Sequence, residues 1–137
     1  MRRMTKQEDS MGCGAACVAF VTHKTYRQAV KVLGPKKAST DGFRLKELVD
    51  ALNKYGLEYH FKYVKPHMQS SIYQDGVIVF IKRSARYPHG HYLVRHDGVW
   101  GDPWINVVLD KKLANARSGY RKRLPGKARW ALLPKKK

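Results

Sequence analysis

Residues 7–23, QEDSMGCGAACVAFVTH, decide the fold of this 137-residue chain. From Cys13 onward the stretch is small and apolar on nearly every side, and a helix that is apolar all round is a buried helix. Gly12 and Gly14 flank the cysteine, and their lack of a side chain lets another molecule approach the backbone closely. The sequence therefore predicts a buried central helix over residues 13–23, with Cys13 in its first turn.

Two further helices are predicted after this stretch. Thr25 is a good N-cap for a helix over residues 26–33, which the following Gly-Pro pair would end. Apolar residues at helical spacing predict another helix over residues 43–55. The candidate N-caps of this third helix are Thr40 and Asp41.

Strands are predicted in the second half of the chain, because after Gly56 the apolar period changes to two. Asp97-Gly98 is a strong signal for a tight hairpin turn. Helices followed by a mostly antiparallel sheet make an α+β fold, and the length suits a single domain over residues 1–137. The predicted strands cover residues 57–63, 77–81, 91–95, 99–100, 105–109 and 129–133.

The charge of the chain is strongly basic and unevenly distributed. The formal net charge is +18, from 28 Lys and Arg against 10 Asp and Glu. Residues 111–137, called the basic segment below, contain eleven of the basic residues and no acidic one. Such a segment is either a solvated tail or a surface for nucleic acid, a membrane surface or an acidic protein partner.

Several classes of protein are excluded by the composition. No apolar run approaches the roughly 18–20 residues that cross a bilayer, and no signal-type apolar stretch follows the N-terminus. Two cysteines are too few for a disulfide framework. We therefore expect a soluble, cytoplasmic protein with no transmembrane segment.

Four residues form a candidate catalytic set. Cys13 lies at a helix N-terminus, where unpaired N–H groups and the helix dipole favour a thiolate nucleophile. His91, which opens a predicted strand, is the candidate base. Asp102 follows eleven residues later and can fix the imidazole tautomer. Gln7, six residues before the cysteine, can donate its amide to a developing oxyanion.

Other residues compete for these roles. His89 and His96 are the alternatives to His91; one lies in a predicted loop and the other at the turn end of its strand. Asp97 is the alternative to Asp102, but the predicted hairpin turn explains it without catalysis.

A zinc site is the other use for cysteine and histidine. Cys17 lies one helical turn beyond Cys13 inside the apolar run and is interpreted as packing. Neither the two cysteines with His23 nor the His89/His91 pair has the paired spacing of structural zinc. We expect no metal and no cofactor.

The order and spacing of these residues resemble the C39 family of papain-like cysteine peptidases. Members are best known as the N-terminal peptidase domains of bacteriocin-exporting ABC transporters. The resemblance covers most of the chain. The motifs that carry it are Gln7, CGAAC at 13–17, DGF at 41–43, YGL at 55–57, VIVF at 77–80, HYLV at 91–94 and DP at 102–103.

The resemblance implies both a fold and an activity. The fold would be papain-like, with Cys13 at the head of the central helix, His91 and Asp102 on the sheet opposite, and Gln7 in the oxyanion hole. The activity would be hydrolysis of a peptide bond through a thioester, often after a Gly-Gly pair in a leader or precursor peptide. Because the chain ends at Lys137 with no transporter segment, we expect a stand-alone peptidase domain, and the basic segment departs from the family pattern.

Two other functions remain open at this stage. The chain could be a basic nucleic-acid-associated protein that uses a papain-like scaffold, with Tyr120 available for stacking on bases. Trp130 lies in a predicted strand and is expected in the core instead. The chain could also be a catalytically inactive module that only binds a peptide.

Overall fold

The computed structural model describes residues 2–135, so Lys136 and Lys137, the end of the basic segment, lie outside the described residues. The helices are α1 (Cys13–Thr22), α2 (Tyr26–Leu33), α3 (Pro35–Ser39) and α4 (Leu45–Lys54). The strands are β1 (Tyr59–Tyr63), β2 (Ile78–Ile81), β3 (His91–His96), β4 (Val99–Asp102), β5 (Gly119–Arg121) and β6 (Ala128–Pro134). Two 3₁₀ helices span Pro66–Tyr73 and Leu113–Asn115.

The strands form one sheet in the order β1-β6-β2-β3-β4-β5, and every neighbouring pair is antiparallel. The helices come first in the chain and pack on this sheet, which confirms the predicted α+β fold. Within residues 2–135 no helix is both long and apolar enough to cross a membrane.

Helix α1 is the centre of the core, as its composition predicts. Every residue from Gly14 to Phe20 is buried. The helix packs against β3, α2 and α4. Small side chains allow this close approach: a Cβ at Gly14 would lie only 3.1 Å from the methyl groups of Leu48 on α4.

The helix boundaries agree with prediction at α2 and differ at α4. Thr25 caps α2 in a capping box with Gln28. Helix α4 begins at Leu45 instead of residue 43, and the predicted caps Thr40 and Asp41 are wrong. The left-handed backbone of Gly42 (φ +76°) separates those residues from the helix.

The outer strand β1 is more exposed than a half-buried strand. Its first residue Tyr59 is buried, but Phe61 and Tyr63 are 40% and 41% exposed. Both rings pack edge-on against Trp130 on the neighbouring β6, which is itself only partly buried. The prediction that Trp130 belongs to the core is therefore wrong: its side chain is partly buried and lines an open cleft.

Two strands of the basic segment, β5 and β6, belong to the sheet. Strand β6 pairs with β1 on one side and β2 on the other, and β5 pairs with β4. Of the two alternatives left open, the tail is wrong up to residue 135, and the predicted strand over residues 129–133 is present within β6. The predicted strand over residues 105–109 is also wrong: these residues form turns, and Ile105 N–H donates to Arg117 O (2.8 Å). Strand β5 was not predicted because three residues are too few for a periodic pattern.

Candidate active site

Cys13 begins helix α1 and lines a cleft. The first helical bond runs from Ala16 N–H to Gly12 O (3.0 Å), so the N–H groups of the preceding turn have no helical acceptor. A Cβ at Gly12 would lie 1.9 Å from Tyr26 Oη, so this close approach requires glycine. Tyr26 Oη donates to Asp9 Oδ2 (2.8 Å) and holds the loop in front of the helix.

The two thiols have different surroundings. Cys13 is partly exposed to the cleft, whereas Cys17 is completely buried one turn below it. Burial, and next the charge of Cys13, raises the pKa of the Cys17 thiol. Cys13 is therefore the thiol that a substrate or reagent can reach.

The hairpin β3–β4 brings His91 and Asp102 together. Asp97 (φ +49°) and Gly98 (φ +80°) form the predicted tight turn with both residues left-handed. The register pairs Val94 with Gly101, so Leu93 lies opposite Asp102. Because His91 is two residues before Leu93, His91 and Asp102 are diagonal neighbours. Such diagonal neighbours on one face are within side-chain reach. Accordingly, His91 Nε2 lies 2.6 Å from Asp102 Oδ1.

His91 is buried and carries a raised pKa. Burial alone lowers the pKa, but hydrogen bonds to Asp102 and Cys13, and then their negative charges, outweigh it and raise it to about 10. The raised pKa favours the imidazolium form of His91. Since Asp102 occupies Nε2, Nδ1 is the ring nitrogen left for the side of Cys13.

Asp102 is completely buried and remains ionised. Burial raises its pKa, but the hydrogen bond and charge of His91, the guanidinium of Arg121 and the N–H of Trp104 together lower it below its ordinary value. Nε of Arg121 lies 2.7 Å from Oδ2, and N of Trp104 lies 2.9 Å from Oδ1. The carboxylate thus has three donors in fixed directions.

The competing residues lie in other surroundings. Asp97 is exposed in the hairpin turn, where its backbone N–H donates to Asp75 Oδ1. His96 packs against Phe20 and Tyr120. His89 lines the same cleft as His91 but is exposed.

Gln7 lies in the wall of the cleft and is almost completely buried. Its Nε2 donates to Asp9 O (2.9 Å) and Ser10 O (3.2 Å), while its Oε1 is buried without a partner. Both amide hydrogens therefore bind the loop that precedes Cys13 instead of pointing freely into the cleft.

Sequence reasoning missed two residues of this cluster, Arg121 and Tyr87. The Tyr87 ring stacks on the His91 ring at 5.2 Å and 18°, and its Oη accepts from Arg121 Nη2 at 3.4 Å. Nothing in the sequence distinguishes this arginine from the other basic residues of its segment.

The cleft has a volume of about 520 Å³ and a mixed lining. Cys13 and His91 lie within it, and Phe43, Phe80 and Trp130 supply apolar wall. No cluster of three or more potential metal ligands occurs in the described part of the chain.

Gly90 sets the start of β3 and with it the position of His91. Its φ is +73°, and a Cβ there would lie 2.2 Å from Phe80 Cζ. We expect Gly90→Ala to lower the free energy of unfolding by about 2–4 kcal/mol, from left-handed backbone strain and overpacking. Denaturant unfolding measures this loss.

The matched control is Gly56→Ala, because Gly56 has a similar φ of +83° and open space around its Cα. Its expected loss is about 1–2 kcal/mol, from backbone strain alone. Equal losses in the two variants would contradict the steric role of Gly90.

The chain has the fold of peptidase domains solved from two ABC transporters, which agrees with the resemblance to the C39 family. The chain is similar to the peptidase domain of Streptococcus ComA, a bifunctional ABC transporter of a quorum-sensing pathway, with 16% identity and a TM-score of 0.63 over 98% of both chains. It is also similar to a double-glycine-motif protease from an AMS/PCAT transporter in complex with the leader peptide. That likeness has 17% identity and a TM-score of 0.60 over 96% of this chain and 92% of the other.

No family model matches the sequence, and no curated protein matches it either. The structural likeness spans nearly the whole chain, so the basic segment falls inside the shared fold.

Proposed function

We propose that this chain is a cysteine peptidase that hydrolyses a peptide bond through a thioester on Cys13. One observation carries the proposal: a partly exposed thiol at a helix N-terminus lines the same cleft as His91, and His91 Nε2 lies 2.6 Å from Asp102 Oδ1. A nucleophile, a proton carrier and an orienting carboxylate in this order are the parts that acyl transfer requires.

The acylation step begins with the thiolate of Cys13 and the imidazolium of His91. Sγ attacks the carbonyl carbon of the substrate, and the carbonyl oxygen becomes an oxyanion. As the C–N bond breaks, His91 gives its proton to the leaving amine, and the acyl group stays on sulfur as a thioester. Neutral His91 then takes a proton from water, which attacks the thioester and releases the acid and the thiolate.

The oxyanion needs hydrogen-bond donors at the N-terminus of α1. The N–H of Cys13 has no helical acceptor and is therefore available to donate to the oxyanion. Gln7 can join it only if one of its bonds to Asp9 O or Ser10 O is exchanged for the oxyanion. We assign Gln7 this role on approach of substrate.

The substrate class that we propose is a leader or precursor peptide cut after Gly-Gly. The support is the solved neighbour that holds a leader peptide, together with an apolar surface beside the cleft. Phe80 and Trp130 line the cleft, and Phe61 and Tyr63 continue the aromatic surface outward. Apolar side chains of a bound peptide can pack there. Two free thiols suit a reducing compartment, so we place the reaction in the cytoplasm.

The test is cleavage of synthetic peptides by the full chain, read by mass spectrometry in ¹⁸O-labelled water. We expect a cut after Gly-Gly, with one ¹⁸O in the new carboxylate because water resolves the thioester. A peptide with Val-Val in place of Gly-Gly is the control. Binding without cleavage would instead support an inactive peptide-binding module, and a nucleic-acid partner is supported by none of the comparisons.

A further inference from the structure

Arg121 is the basic residue that the candidate site uses. It lies at the end of β5, inside the basic segment, and its side chain is 25% exposed. Nε donates to Asp102 Oδ2 (2.7 Å), and Nη2 donates to Ile105 O (2.8 Å) and to Tyr87 Oη (3.4 Å). A single guanidinium therefore joins the carboxylate, a loop carbonyl and the ring stacked on His91.

The sheet fixes this position. In the β4–β5 register Asp102 pairs with Gly119 and Trp100 with Arg121. Directly opposite residues share a face, so Arg121 is a diagonal neighbour of Asp102 on that face and its long side chain reaches the carboxylate. The contact follows from strand pairing and not from a flexible surface arm.

The two carboxylate oxygens of Asp102 have different hydrogen-bond partners. Oδ1 faces His91 Nε2, and Oδ2 faces Arg121 Nε. A completely buried carboxylate is stable as an anion only when it is paired and hydrogen-bonded. The bond on Oδ2 also prevents rotation of the carboxylate away from the imidazole.

We propose that Arg121 is a positioning residue for the reaction: it keeps Asp102 ionised and aimed at His91, and it holds Tyr87 against the imidazole face. This inference rests on the proposed peptidase function. Arg121 is not among the residues that line the cleft, so it acts through the His91–Asp102 pair and Tyr87.

The pH dependence of activity tests this role. Among the described residues, four titratable or charged groups face the His91–Asp102 pair. They are Cys13 and Cys17 on α1, Tyr87 before β3 and Arg121 on β5. Loss of the guanidinium leaves burial of Asp102 less compensated and raises the carboxyl pKa. Asp102 then takes up a proton at higher pH and stops supporting the imidazolium, so activity at low pH is lost earlier.

The experiment compares Arg121→Gln, Arg121→Lys and Arg123→Gln in the full chain. Arg123 is an exposed arginine just after β5, so its variant removes the same charge without touching Asp102. For Arg121→Gln we expect the acid limb of Cys13 alkylation and of kcat/KM to move up by about one pH unit. We expect kcat to fall by about 10–100-fold with KM nearly unchanged.

Rescue separates positioning from folding. Arg121→Lys keeps the charge but cannot bridge three acceptors, so we expect an acid limb between those of the wild type and Arg121→Gln. Guanidinium chloride at low millimolar concentration is expected to restore part of the Arg121→Gln rate. Should Arg121→Gln fail to fold, an acid limb of Arg121→Lys at higher pH than that of Arg123→Gln carries the test.

The two proposals fail in different ways. If Arg121→Gln and Arg121→Lys have the pH profile of Arg123→Gln while His91→Ala still slows Cys13 alkylation, the role of Arg121 is overturned and the peptidase proposal stands. If Cys13 in the wild type reacts no faster than in His91→Ala, the peptidase proposal fails and this inference fails with it.

Discussion

Cys13→Ser is expected to lower the rate of peptide cleavage by at least about 10⁴-fold, with little change in folding. The reason lies in the protonation state of the pair. Cys13 itself helps raise the pKa of His91 to about 10, so the proposed wild-type pair is a thiolate beside an imidazolium. A serine hydroxyl stays protonated near neutral pH and, unlike the thiolate, must lose a proton to attack a carbonyl carbon.

Cleavage of a Gly-Gly peptide measures the effect, and iodoacetamide labelling reports the thiol itself. Labelling is expected to disappear in Cys13→Ser and to slow strongly in His91→Ala. Cys17→Ala is the matched control, because Cys17 is buried and unreachable; it should keep both labelling and cleavage. Retention of cleavage in Cys13→Ser would refute the nucleophile assignment.

Asp102→Asn is expected to lower kcat/KM by about 10²–10⁴-fold near neutral pH. Asparagine can accept from Arg121 through its oxygen, which turns its NH₂ group toward His91 Nε2. That nitrogen must then accept, so the ring proton sits on Nδ1 and faces Cys13. A ring in this tautomer cannot take the thiol proton, and the thiolate–imidazolium pair is lost.

The pH profile of the same variant has a definite sign. In the wild type the hydrogen bond and charge of Asp102 help raise the pKa of His91 to about 10, so the imidazolium persists into alkaline solution. Without that anion the pKa of His91 falls, and the alkaline limb of kcat/KM moves to lower pH.

Asp97→Asn makes the same chemical change in the hairpin turn, where asparagine suits the left-handed backbone. Its rate and its alkaline limb should match the wild type. An unchanged alkaline limb in Asp102→Asn would contradict the pairing of Asp102 with His91.

The sequence predicts much of the central helix and of the hairpin. The apolar run after Cys13 excludes a surface helix, and Asp97-Gly98 has few alternatives to a tight turn. The turn and the length of the strands then bring His91 close to Asp102, because register in a two-residue hairpin leaves no freedom. These are local signals, and local signals can be read from one sequence.

Other features depended on contacts distant in sequence. Charge composition left the basic segment as either a solvated tail or a binding surface, and the sequence pattern predicted only one strand in it, over residues 129–133. The sheet includes both β5 and β6, and buried apolar residues such as Leu132 anchor β6. Trp130 is the opposite case: a strand pattern does not show which side chains will line a cleft, and this one is only partly buried there.

The sequence by itself determined the buried helix that begins at Cys13, the β3–β4 hairpin and the α+β class. Each of them depends on the apolar period and on turn residues within a few positions of the chain. The tertiary structure alone decided that Arg121, one basic residue among many, binds Asp102, and that the Gln7 amide is held by backbone carbonyls. The physical reason is that a charge or an amide acquires its role from the partner that the fold places against it. Here that partner lies on another strand or in a loop whose path the sequence pattern does not encode.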